Sequence, residues 1–294
     1  MAGTDHIAVI GATGRLAIPV LHRWASQGVS VKALVRDVDK ARGLLPSGTT
    51  LVAADLQNVE SLRRGLDGSR FLYLNLSTET LERNRAFYTE HQGIANILQA
   101  ARGGSIEHIL QLSGLGAHPA NADVVPDFLP NVVRLRGQAL LRESGIPFTL
   151  FHATWFLDSL PRFVRNGALM LLGTYPRPFY FTNTTDLADH VRQAMANPRA
   201  LNRDFAVQGS EALHVDDAAA RFVAVTSPKM QIRRIPLWAA SAMSVFMPTL
   251  RMPVAMTKYL LSFPDKLLAE DTWEVVGRPN LTLERFFDPE YGRP

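Results

Sequence analysis

Apolar and polar positions alternate between two periods through the first half of the chain. Short, nearly continuous apolar runs occur at His6–Ile10, Val29–Val35, Thr50–Ala54, Arg70–Asn75, Ile106–Leu112 and Pro147–Phe151, each of a length and composition that predicts a strand buried on both faces. Between them lie stretches of helical period: one running to about Gln27, then Val38 to Leu44, Val59 to Leu66, a long one from about Leu81 to Ala101, and Asn131 to Glu143. Strands that alternate with helices predict an α/β fold built on a doubly wound parallel sheet. In such a sheet a ligand binds in the crevice beyond the C-terminal strand ends. The second half predicts a helix from Thr184, a strand at Arg203–Gln208, a helix from His214 and a short final helix within Asn280–Pro289.

The first strand runs into Gly11-Ala-Thr-Gly-Arg-Leu-Ala17 and then a helix. Glycines there permit a tight turn and a close approach of backbone to ligand, and the new helix aims its free N–H groups and positive dipole end at a pyrophosphate. Glycine turns of this kind also occur in α/β proteins that bind nothing, so the reading rests on position: first turn, between strand and helix. Composition narrows the chemistry. The 294 residues, 47% hydrophobic and 20% charged, fit one large α/β domain or one domain plus a small lobe, and the absence of cysteine excludes disulfides and thiol nucleophiles. Redox work then needs a bound cofactor. The net charge of +4 is carried by scattered arginines, which predicts a solvated surface and no nucleic-acid partner. Neither a metal-ligand cluster nor an internal repeat stands out, and the opening residues predict no signal peptide, hence a cytoplasmic protein.

Residues that follow each strand are the candidates for the crevice. Gly11, Thr13, Gly14, Arg15 and Leu16 form the first turn. Arg36 follows the second strand, where an acidic residue would bind the ribose hydroxyls of NAD; an arginine suits the 2′-phosphate of NADP, so NADP(H) is favoured over NAD(H). Lys40 either joins Arg36 or lies on a solvated helix face. Asp55 and Leu56 follow the third strand, Asp55 capping the next helix, accepting from the adenine amino group, or both. Asn75, Leu76 and Ser77 follow the fourth. Ser113–Ala117 reads as a glycine-rich bend near the nicotinamide, and the residues after the sixth strand, His152, Ala153 and on to Phe156, as a loop at its edge.

The ordered motifs GATGRLA, ALVRD, VAADLQNVESLRRGLDG, NILQAARGGSIEHILQLSG and LLRESGIPFTLFHATWFLDSL resemble those of the NmrA-like group of atypical short-chain dehydrogenases/reductases over about residues 6–225. The resemblance implies an NAD(P)-binding Rossmann core over 1–155 and a smaller, mostly helical C-terminal substrate lobe over 156–294 that contributes further strands and helices to the core. It also implies either NADPH-dependent reduction of quinones or dyes, or dinucleotide binding that regulates partners without turnover. Ser113 stands where the wider superfamily has its catalytic serine, but no Tyr-x-x-x-Lys follows; the corresponding stretch reads Arg134-Leu-Arg-Gly-Gln138. Arg134 is a candidate for the nicotinamide ribose or amide, though an arginine is a poor proton shuttle. His152 and His118 are the remaining candidate proton donors, the structural reading being favoured over the catalytic one for each because position alone points to them. Without a positioned acid the favoured acceptor is small, apolar and conjugated, since such a molecule delocalises the charge that hydride brings.

One segment differs in composition from the rest. From Ile235 to Pro264 the chain carries Trp238, Met243, Phe246, Met247, Met252, Met256, Tyr259 and Phe263, interrupted by prolines, and its uncharged run from Ile235 to Leu250 is too short for a membrane span. Ordinary core packing stands against three functional readings, an adaptable lid over the substrate, a dimer face and an interfacial membrane contact; among those three the lid comes first because the resemblance puts the substrate lobe here. Monomer and homodimer both remain open.

Overall fold

The computed structural model describes residues 6–123, 127–262 and 264–288; Met1–Asp5, Phe263 and Pro289 of the segments above lie outside these. The core elements are β1 (Ile7–Ile10), α1 (Ala17–Ser26), β2 (Val31–Val35), α2 (Val38–Arg42), β3 (Thr50–Ala53), α3 (Val59–Leu66), β4 (Phe71–Leu74), α4 (Ile94–Ala101), β5 (His108–Gly114), α5 (Leu129–Glu143) and β6 (Phe148–Ala153). There follow β7 (Val164–Arg165), β8 (Ala168–Leu172), α6 (Thr184–Ala196), β9 (Arg203–Val207), α7 (Val215–Thr226), β10 (Gln231–Ile235), α8 (Leu237–Phe246), α9 (Arg251–Ser262), α10 (Glu270–Val276) and α11 (Leu283–Phe287). Seven parallel strands form one sheet in the order β3-β2-β1-β4-β5-β6-β9. The order reverses beside β1, so the switch-point crevice opens above β1 and β4.

Both faces of the sheet are covered because the strands are apolar on both. On one side α1 and α6 pack over Val9, Tyr73 and Phe151; Trp24 meets Tyr73 edge-on at 5.2 Å and donates to Ala188 O at 2.9 Å. Arg23 and Gln27 of α1 both reach Asp189 of α6, at 3.0 and 2.6 Å. On the other side α3, α4 and α5 cover Ala8, Leu72, Ile109 and Leu150. β9 and α6, which come from beyond residue 155, thus complete the core.

The predicted helix from Leu81 begins only at Thr89, as a single π-helical turn, Thr89–Gly93, that leads into α4. Local side-chain bonds hold residues before it out of the helix: the Tyr88 hydroxyl donates to Glu82 O at 2.7 Å, and Thr89 Oγ1 donates to Ser77 O at 2.6 Å. The expected bend at Ser113 is also displaced. Ser113 and Gly114 continue β5 and pair with His152 and Ala153 of β6; the chain turns at Leu115–Ala117. Asn58, rather than Asp55, caps α3 by accepting from Ser61 N at 3.0 Å, while Asp55 accepts from Gln57 N in a local turn.

The smaller part holds its own core around Leu169, Phe179, Phe222 and Phe287. A three-stranded sheet, β10-β8-β7, lies here, with β10 parallel and β7 antiparallel to β8. α11 packs back on α7 through Phe222 and Phe287, 4.7 Å apart, and through the Arg221–Glu284 ion pair. Among the described residues no helix is long and apolar enough to cross a membrane.

Candidate functional site

The turn after β1 is built to bring backbone close to backbone. Gly11 has φ +83°, and a Cβ there would stand 2.2 Å from Asn75 O; a Cβ at Gly14 would stand 2.8 Å from Asn75 Nδ2. Asn75 is itself drawn in by its N–H, which donates to Ile10 O at 3.0 Å. The glycines therefore serve first to seat the turn against the end of β4, a use that sequence reasoning did not separate from ligand approach. α1 begins without a side-chain cap and without an acidic residue in its first turn. Ala17 and Ile18 donate to Gly14 O at 3.0 Å, whereas the N–H groups of Thr13, Arg15 and Leu16 find no acceptor among the described residues. Uncapped N–H groups at a positive helix end are a ready anion site.

From this turn a continuous cleft of about 1880 Å³ runs across the sheet ends into the smaller part. Drug-sized sites occupy roughly 300–1,000 Å³, so this one has room for a dinucleotide and a second molecule. Of the sequence candidates, Gly14, Arg15, Leu16, Asn75, Leu76, Ser77, Ser113, Arg134, Ala153 and Phe156 line it. Thr13, Arg36, Lys40 and Asp55 are exposed, with Arg36 and Lys40 beyond β2 and Asp55 beyond β3, and none forms its wall. No ion pair ties down Arg36 among the described residues. Leu56 packs into the core beneath α3 and α4, and its carbonyl accepts from Asn96 Nδ2 at 2.8 Å.

His152 does not reach the cleft. It is the interior of β6 that places it, with its side chain 0% exposed and Nε2 hydrogen-bonded to Asp204 at 2.7 Å. Asp204 is also held by Arg142 at 2.6 Å, and His118 meets the His152 ring edge-on at 5.2 Å. Burial holds both imidazoles below the usual histidine range, His118 at about 4. Pairing with His152 and Arg142 outweighs burial and keeps the Asp204 carboxyl well below the ordinary carboxylate range. Neither histidine lines the cleft.

Ser113 and Arg134 do come together at the inner end. Ser113 Oγ accepts from Gln138 Nε2 at 2.8 Å, so the glutamine on α5 orients the serine from behind. Arg134 Nε donates to Glu90 Oε1 at 2.7 Å, and Glu90 is 0% exposed. Glu90 stands on the π-helical turn, which α5 approaches so closely that a Cβ at Gly137 would lie 1.9 Å from Glu90 O. Burial alone would lower the Arg134 pKa, but Glu90 reverses this and raises it, so the guanidinium stays charged. Its Nη1 lies along the cleft floor at Gly114. Glu90 was missed in the sequence because a helix was predicted through it.

Tyr259 of α9 lines the same region, stacked on Phe128 at 4.5 Å. Burial pushes its phenol up to about 12, with Arg134 opposing, so it is protonated at neutral pH. It was named in the sequence only as part of an apolar segment. Further out, Trp155, Tyr175 and Phe179 form an aromatic wall with ring separations of 5.2 to 5.8 Å. Met243, Met247, Met252 and Met256 line the same cleft. Asp265 closes this end by accepting from Thr154 Oγ1, Tyr180 N and Gln208 Nε2, which ties together three loops from different elements.

A doubly wound parallel sheet with a glycine turn at its switch point is the Rossmann-type architecture. Within that class the chain belongs to the NmrA-like family, whose model matches residues 3–263. It is 26% identical to an NAD(P)H azoreductase of Xenophilus azovorans, over 95% of this chain and 96% of the relative. It is 24% identical to the photosystem II assembly factor Ycf39 of Cyanophora paradoxa, over 79% of this chain and 72% of that one. Its fold matches that of the NADPH-dependent quinone oxidoreductase of Escherichia coli solved with NADPH, with TM-score 0.72 and 21% identity over 97% of this chain and 100% of the other.

Proposed function

We propose that the chain is an NADPH-dependent reductase of a flat, apolar, conjugated acceptor of the quinone or azo-dye kind. One observation carries the reading: a single cleft has unpaired backbone N–H groups at one end and a methionine and aromatic wall at the other. The residues present fit a dinucleotide, since the uncapped α1 terminus suits its pyrophosphate and the exposed Arg36 and Arg15 suit a 2′-phosphate. The relatives named for NADPH or NAD(P)H support the cofactor class. The reduced nicotinamide, when bound, supplies the hydride. Ser113 and the charged Arg134 bind and orient at the inner end, Arg134 acting as a fixed positive group near developing negative charge rather than as a proton shuttle. Tyr259 holds a proton at its hydroxyl beside them. The aromatic and methionine walls exclude water and hold the acceptor flat, so positioning supplies most of the acceleration.

Titration of the protein with NADPH and NADH, read by nicotinamide fluorescence, tests the cofactor assignment. NADPH is expected to bind tighter, and Arg36→Asp to weaken NADPH by roughly 10–100-fold, the worth of a charge-assisted contact, with NADH changed little. Equal binding of the two by the unaltered protein would defeat the NADP preference. A second reading, a dinucleotide-binding protein that acts on a partner without turnover, draws on the missing Tyr-x-x-x-Lys and on the likeness to an assembly factor. It prevails if NADPH binds and no quinone or azo dye oxidises it.

A further inference from the structure

α8, Leu237-Trp-Ala-Ala-Ser-Ala-Met-Ser-Val-Phe246, contains no charged residue and yet is a surface helix. Helices apolar on all sides are ordinarily buried. Only one side of this one is accounted for: Ala240 and Met243 look into the cleft. On its other side Trp238 is 77% exposed, Val245 64% and Phe246 87%, at helical positions i, i+7 and i+8. Such an exposed cluster marks a site of contact.

The surrounding charge says what kind. Between Pro228 and Pro264 the chain has no aspartate or glutamate, while it carries Lys229, Arg233, Arg234, Arg251 and Lys258. Arg234 is spoken for by its ion pair with Asp216. Arg251 is fixed at the patch itself: its Nε donates to Ser244 O at 3.2 Å and Nη2 to Val245 O at 3.4 Å, which caps the C-terminal end of α8 and sets the guanidinium beside Phe246. A two-fold contact between copies would set this basic segment against itself. Anionic headgroups complement it. The ten residues of α8 are too few to span a bilayer, which takes about twenty, so the helix would lie in the headgroup region with its aromatics inserted.

We propose that the outer face of α8 docks the protein on an anionic lipid surface, Trp238 and Phe246 entering the acyl boundary and Arg251 meeting headgroup phosphates. Met243 and Met247 line the cleft from the same helix and the residue after it, so the docked face and the acceptor end of the cleft share one wall. The inference does not depend on catalysis, because lipid binding is read without turnover.

Flotation of the full chain with vesicles of phosphatidylcholine, with and without phosphatidylglycerol, tests it. At low salt the protein is expected to float with the anionic vesicles, only weakly with phosphatidylcholine alone, and less as salt rises. Trp238→Ser combined with Phe246→Ser should lose at least ~10-fold in vesicle affinity, with an unchanged melting temperature because both side chains are solvated. Arg251→Gln should lose about fivefold on anionic vesicles alone. The proposal is overturned if nothing floats at low salt or if the double variant floats like the parent. It is equally overturned if the double variant converts a concentration-dependent dimer into a monomer while vesicles bind neither, since a second copy then covers the face.

Discussion

The two ends of the cleft are made in different ways. At the end proposed for the cofactor the groups left free at the cleft wall are backbone: N–H groups of Arg15 and Leu16, in a turn that Gly11 and Gly14 seat against Asn75. At the acceptor end they are side chains from scattered elements: Trp155 after β6, Tyr175 after β8, and methionines around α8 and α9. A backbone site tolerates little change at the residues that shape it and much change elsewhere. A wall of methionines and rings tolerates substitution residue by residue, which fits the proposed selection by size and flatness rather than by hydrogen bonds. At the inner part of the cleft stand Arg134 and Glu90, a charge pair that holds α5 to the π-helical turn.

Gly11→Ala should separate the ends most sharply. Its methyl would meet Asn75 O at a positive φ, so NADPH affinity is expected to fall by more than ~100-fold and stability by about 1–3 kcal/mol, read by fluorescence titration and thermal melting. Retention of NADPH affinity would show that the turn does not hold the dinucleotide. Next in size is Arg134→Ala, which strands the fully buried Glu90 carboxylate. A loss of about 3–5 kcal/mol in denaturant unfolding is expected, with much of it recovered by adding Glu90→Gln. No recovery would mean that the pair is not what the variant breaks.

Acid should weaken the fold as a whole. His108 and His190 are buried, and burial lowers each to about 4. A folded pKa below the unfolded value means that the unfolded chain takes up the protons first, so their contribution is intact above about pH 6.5 and drains away down to pH 4. The slope is at most about 1.4 kcal/mol per pH unit for each histidine. Melting temperatures should decline steadily from pH 7 to pH 5; a flat profile would contradict the buried neutral histidines. The smallest effect belongs to the acceptor end. Met243→Ser with Met247→Ser should raise KM for an apolar acceptor a few-fold and leave NADPH affinity unchanged; a change in NADPH affinity instead would remove the distinction between the ends.

The same contrast explains what could be read from the chain. β1, the glycine turn and α1 follow from residues within twenty positions of one another, and the parallel sheet follows from apolar runs that are each self-contained. The β10-β8-β7 sheet was not legible, because Gln231–Ile235 becomes a strand only by pairing with Ala168–Leu172 across a long separation. Glu90 hides inside a helical pattern whose start is cancelled by Tyr88 and Thr89 bonding backward. His152 looked like a loop residue because β6 runs two residues further than its apolar pattern, carrying the ring toward Asp204 rather than the cleft. The methionine segment announced an apolar wall, but only the structure divides it into a face that lines the cleft and a face left to solvent.

Single-turnover oxidation of NADPH bound to the protein tests the central claim, that the two ends of one cleft work together on a conjugated acceptor. Rapid mixing of the NADPH-loaded chain with a small apolar quinone should bleach the bound cofactor's absorbance in a burst whose rate saturates with quinone, and a small polar ketone should give no burst. A chain that holds NADPH through both additions, or that oxidises it faster with the ketone, would contradict the account.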